Sequence, residues 1–105
     1  MLSKIKLSCI GVTFAFVTFC SPVWADTFEL KKVADGIYVH HGQHLDIDDG
    51  YQGDICNLGV IIGKESIAVI DSGGSKHTGE QLLQAIRKIS NLPVRYVINT
   101  HVHPD

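Results

Sequence analysis

Two β-branched runs, Ile67-Ala68-Val69-Ile70 and Val94-Arg95-Tyr96-Val97-Ile98-Asn99, enclose a segment of helical periodicity. This strand–helix–strand pattern limits the fold more than any other feature of the chain. Asp71-Ser72-Gly73-Gly74-Ser75 ends the first strand sharply. The spacing Thr78-Gly79-Glu80-Gln81 is that of a capping box and predicts a helix starting near Thr78. Leu82, Leu83, Ile86 and Ile89 predict its apolar face, with Gln84, Arg87 and Lys88 on the wet side. Asn91-Leu92-Pro93 stops it. In such a unit, ligands bind beyond the carboxyl ends of the strands. Asp71 follows one strand end, and His101-Val102-His103-Pro104-Asp105 follows the other, so both are expected at one edge. His101 and His103, one residue apart on extended backbone, point the same way. Imidazole nitrogen and carboxylate oxygen, here from Asp105, are what zinc takes from protein.

The chain before this unit reads as strands. Phe28 to Val33 and Ile37 to His40 flank the turn chemistry of Ala34-Asp35-Gly36. Ile55 to Ile62 and Ile67 to Ile70 flank Gly63-Lys64-Glu65-Ser66 and predict a hairpin. His41 to Gly53 is loop-like. His40, His41 and His44 precede the acidic stretch Asp46-Ile47-Asp48-Asp49, which reads as a solvated loop or as the lining of a substrate mouth. His77 reads as a surface residue.

The first 25 residues read differently. Lys4 and Lys6 precede an apolar run from Leu7 to Cys20, and Val23-Trp24-Ala25 follows. A charged start, a short apolar core and a small residue at the end predict a secretory signal peptide over 1–25, cleaved after Ala25, with a periplasmic or secreted product. The apolar run is shorter than the roughly 20 residues a membrane span needs, so no membrane association is expected after cleavage. Residues 26–105 keep all 11 acids but only seven of the nine Lys and Arg, a net of four negative charges. No basic stripe for nucleic acid is present, and a small-molecule substrate is the expected partner. Cys56 is the one cysteine left after cleavage and reads as a buried structural thiol.

Thr100-His101-Val102-His103-Pro104-Asp105 resembles the His-x-His-x-Asp-His signature of the metallo-β-lactamase superfamily, without its last histidine. Val69-Ile70-Asp71-Ser72-Gly73 is similar to that family's earlier Asp-Thr-Gly element, with Ser72 in place of threonine. The resemblance spans about Gly36 to Asp105. Within the superfamily, three stretches look like periplasmic, quinoprotein-associated zinc metallohydrolase-like proteins: Gly36 to Gly42, Asn57 to Gly63 and Asp71 to Ser75.

The resemblance implies an α/β (α+β) fold: the N-terminal half of an αββα sandwich over residues 26–105, mostly strands plus one amphipathic helix. It implies that His101 and His103 bind a first zinc ion and Asp105 a second. Asp71 would orient the site from behind, and Asp105 would hold the catalytic hydroxide. The reaction implied is metal-assisted hydrolysis, in which a bound hydroxide attacks a carbonyl. The family's remaining ligands lie beyond Asp105, so the expectation is a truncated domain, inactive alone and holding zinc weakly. The other expectation is a non-catalytic exported protein with weak metal or partner binding. With no second sheet, an apolar face drawn from Val60, Ile62, Val69 and Val97 would stand uncovered and favour self-association.

Overall fold

The computed structural model describes residues 28–105. The signal peptide expected over 1–25 lies outside the described residues. Five strands form one sheet in the order β1-β2-β3-β4-β5: β1 Lys31–Ala34, β2 Ile37–His40, β3 Leu58–Ile62, β4 Ile67–Ile70 and β5 Val94–Ile98. The first four are antiparallel neighbours, and β5 runs parallel to β4. Helix α1, Lys76–Arg87, the one α-helix among the described residues, makes the crossover between β4 and β5. A mixed sheet with one helix is the α+β arrangement expected, in the form of a partial αββα sandwich. Among the described residues, no helix is long and apolar enough to cross a membrane.

Helix α1 begins earlier than its capping-box spacing predicts. Ser75 is the N-cap, with extended backbone, and its Oγ accepts the Thr78 N–H at 3.1 Å. The same hydroxyl donates to the Gln52 carbonyl at 2.9 Å. That long-range bond selects Ser75 over Thr78, which is buried inside the first turn. The buried face is Thr78, Leu82, Ala85 and Ile86. Leu83 and Ile89, expected on it, are exposed. Thr78 and Ala85 are buried in their place.

The core lies between α1 and one face of the sheet. Leu58, Val60, Ile67 and Val69 pack there with Leu82 and Ile86, flanked by Tyr38, Ile62 and Val94. Cross-strand register puts Val60 opposite Val69 and Ile62 opposite Ile67, so one alternating set from each strand points at the helix. Val60 is 0% exposed and Val69 4%. Val60 and Val69 were expected on the uncovered face, with Ile62 and Val97; the structure covers Val60 and Val69, half-buries Ile62 and leaves Val97 59% exposed. The open face carries the other set: Ile37, Ile61, Tyr96 and Ile98, all exposed, beside half-buried Ile70.

Two strands are shorter than their apolar runs. β3 starts at Leu58 rather than Ile55, because Ile55-Cys56-Asn57 belongs to a loop held by other contacts: the Asn57 side chain accepts the Gly42 N–H, and the Cys56 thiol bonds elsewhere. β1 starts at Lys31 rather than Phe28, since Phe28 and Glu29 turn aside to meet His40.

Candidate metal centre

The strand ends bring the motif residues together as the strand–helix–strand pattern predicts. Asp71 follows β4, and its N–H donates to the Ile98 carbonyl at 2.9 Å, extending the β4–β5 ladder by one step. There its backbone turns left-handed, φ 56°, a conformation aspartate tolerates better than most residues. Both carboxylate oxygens are used at once. Oδ1 accepts the Thr100 backbone N–H and Oδ2 the Thr100 hydroxyl, each at 2.8 Å. These bonds, the backbone one foremost, hold the Asp71 carboxyl below the usual carboxylate range, with His101 adding to the effect and slight burial opposing it.

Thr100 passes the constraint on. With its proton given to Asp71, its oxygen is an acceptor for His101, whose Nδ1 lies 2.9 Å away. Nδ1 therefore carries the ring proton, and the Nε2 lone pair is left for another partner. That partner is the Asp105 carboxylate, with Oδ1 at 3.0 Å. A lone pair facing a carboxylate oxygen at this distance requires a cation shared between them, either a proton or a metal ion. His103 completes the set, its ring edge-on to that of His101 at 5.0 Å. The ligand atoms of His101, His103 and Asp105 lie within 4.8 Å of one another. Two imidazoles and a carboxylate fit zinc, and the fixed tautomer of His101 is the arrangement usual for a metal-bound histidine. Asp71 bonds to Thr100 rather than to this cluster.

The surroundings are built by a loop that was expected to end at Gly53 and runs on through Asn57. Residues 51–57 are stitched to the turn after β4: Gly74 N–H donates to the Gly53 carbonyl at 2.8 Å, and Ser75 reaches Gln52. From the same loop, Tyr51 Oη donates to the Pro104 carbonyl at 3.3 Å, and Cys56 Sγ to the main-chain oxygen of Asp105 at 2.9 Å. Burial pushes the Cys56 thiol up, and Asp105 and Asp71 push it further, against a hydrogen bond from Gly73 that lowers it. Cys56 is thus a neutral, half-buried donor that supports the motif, which is the structural role expected. Tyr51 is raised in the same way, first by burial and then by Asp105 and Cys56. Gly74 is required where these strands of chain converge, because a Cβ there would overlap the Tyr51 hydroxyl and the Pro104 carbonyl.

Two clefts open on the cluster. One, about 150 Å³, is lined by Asp71, Ser72, Gly73, Asn99 and the motif itself. The other, about 290 Å³, lies between Asp46, Tyr51, Ile55 and the His103–Asp105 segment. Asp46 thus brings the acidic loop, which forms a short 3-10 turn at Ile47–Asp49, to the rim of the site. His41, His44 and His77 are exposed and lie outside the cluster.

The sequence model of the metallo-beta-lactamase superfamily matches residues 51–105. The chain belongs to that superfamily. The match starts at Tyr51, the first residue of the bracing loop, and runs through the Asp71 turn and the histidine motif. No curated protein matches the chain. As a superfamily member it carries the two sequence elements, at Asp71 and at His101–Asp105, that its fold brings into contact through Thr100.

His40 ends β2, as its apolar run predicts, but its burial was not foreseen: it is 4% exposed, with Phe28 stacked on its ring at 3.7 Å. Its Nδ1 meets the Glu29 carbonyl at 3.0 Å and its Nε2 the Asp54 carboxylate at 2.7 Å. The partners lie 11 and 14 residues away in sequence, so no local pattern announces them.

Proposed function

We propose that this chain carries the first metal motif of a zinc-dependent hydrolase, acting on a small molecule with a carbonyl at its reacting centre. The observation that carries the reading is the convergence of three ligand atoms: His101 Nε2 lies 3.0 Å from Asp105 Oδ1, and with His103 they fall within 4.8 Å of one another. Bound zinc supplies Lewis acidity and acidifies water near neutral pH. The residues of the chain do the rest. His101 and His103 offer imidazole nitrogens, and Thr100 orients the His101 ring. Asp105 offers a carboxylate that can bind metal or accept a proton from attacking water. Substrate would lie in the cleft between Tyr51, Ile55 and Asp46, at the lower end of small-molecule pocket volumes.

Measurable zinc binding is the behaviour expected of the His101–Asp105 motif. Export to the periplasm belongs to the same proposal and rests on residues 1–25. The narrower likeness to quinoprotein-associated members rests on the three sequence stretches alone.

Competition against a chromophoric chelator tests the reading. Zinc affinity should fall at least tenfold in both His101→Ala and Asp105→Ala. Equal affinity in the wild type and both variants would sink it. Hydrolysis of a chromogenic β-lactam and a thioester, with and without chelator, separates a catalytic chain from one that only binds metal.

A further inference from the structure

Outside the metal cluster, the buried group that the proposed chemistry leaves unused is the His40–Asp54 pair. Burying such a pair is unfavourable unless every polar atom is satisfied. Here both ring nitrogens face acceptors, and the stacked Phe28 excludes water from one face. A ring facing two acceptors satisfies both only when it carries two protons or when Asp54 carries one. An apolar pair could fill this space. What the polar pair adds is direction: it ties the end of β2 to Glu29 on one side and to a single atom of the 51–57 loop on the other.

That loop is what braces the metal motif. Asp54 lies between Tyr51, which holds the Pro104 carbonyl, and Cys56, which holds the main-chain oxygen of Asp105. Asp54 is also tied through its own carbonyl, which accepts the Gln43 N–H at 2.8 Å. The connection from the sheet to the second metal ligand therefore runs from β2 through His40 and Asp54 to Cys56 and Asp105. It is distinct from the connection through Asp71 and Thr100, which reaches the motif from β4, although the same loop is also bonded to the turn after β4 at Gly53 and Gln52. We propose that His40 and Asp54 are positioning residues: they fix the 51–57 loop so that it holds Pro104 and Asp105 where the metal is taken up. This rests on the metal reading above for its purpose, though not for its test.

The test combines hydrogen exchange without metal and zinc affinity by competition, on the full chain. Asp54→Ala should speed exchange over both 51–57 and 99–105, on the order of tenfold, and weaken zinc binding by a similar factor, as loss of outer supporting contacts does. Asp54→Asn should restore both, because an amide can donate to a neutral His40 Nε2. Amides of β3, β4 and α1 should stay protected in each. Faster exchange in 51–57 with 99–105 unchanged would overturn the proposal, and so would failure of the asparagine to rescue. If Asp54→Ala unfolds altogether, Tyr51→Phe with Cys56→Ala removes the other end of the brace. Unchanged exchange at 99–105 in that variant overturns the proposal, and faster exchange supports it. A wild type that binds no zinc defeats the metal reading, while the exchange measurements still decide the brace.

Discussion

Thr100 uses one hydroxyl twice, donating to Asp71 and accepting from His101, and so converts a carboxylate at the end of β4 into a defined tautomer at the metal site. Thr100→Val keeps the shape but removes both bonds. It should weaken zinc binding about tenfold to a hundredfold, the usual range for outer supporting groups, with little effect on secondary structure by circular dichroism. Asp71 also links the site to pH. Its folded pKa is depressed, so its stabilising share is present above the ordinary carboxylate value of about 3.9 and is lost as pH falls through the lower folded value. Asp71→Asn should therefore flatten the acid limb of stability below about pH 4, read from urea midpoints over a pH series. At this scale the closeness of Asp71 to the histidine motif was legible, because position just past a strand end is a local property; the alternation expected of His101 and His103 was not met, since β5 ends at Ile98 and the motif lies in bends. The Thr100 relay and the buried His40 were not legible. Both depend on which residues meet across 14 to 29 positions of sequence.

Helix α1 shows how tertiary contacts amend a local pattern. Ser75 and Thr78 are both plausible caps by residue type, and only the Gln52 carbonyl, 23 residues away, decides between them. Ser75→Ala should destabilise the chain by about 1 kcal/mol through the lost cap. Thr78→Ala tests the same point from inside the first turn, where the Thr78 hydroxyl meets Ser75 Oγ at 2.9 Å. The apolar face was legible in Leu82 and Ile86 but not in its width. Ile86, 1% exposed, should cost about 2–5 kcal/mol on truncation to alanine, whereas Leu83, 46% exposed, should cost roughly 0.5 kcal/mol or less. Chemical denaturation of the two variants checks this directly. The strands β2 and β4 coincide with their apolar runs because nothing competes for those residues. β3 and β1 lose their first residues because Cys56, Asn57, Phe28 and Glu29 are engaged elsewhere.

For the whole molecule, the sheet divides its apolar residues between a face sealed by α1 and a face left open. Strand alternation told that two faces exist, but not which one the helix would cover. Tyr96 and Ile98, 59% and 52% exposed, lie on the open face along the parallel edge strand β5, and we propose this face as the surface through which copies of the chain would associate. Sedimentation should show concentration-dependent association that Tyr96→Glu reduces. The same architecture sets Asp71 and the histidine motif side by side, at the carboxyl ends of the two parallel strands. The claim that this edge is a metal site is tested most directly by nitrogen-15 spectra of the histidine rings during titration with zinc. The ring nitrogens of His101 and His103 should shift, with His101 Nδ1 protonated throughout, while those of His41, His44 and His77 stay in place. Shifts at the exposed histidines with His101 and His103 unmoved would contradict the account.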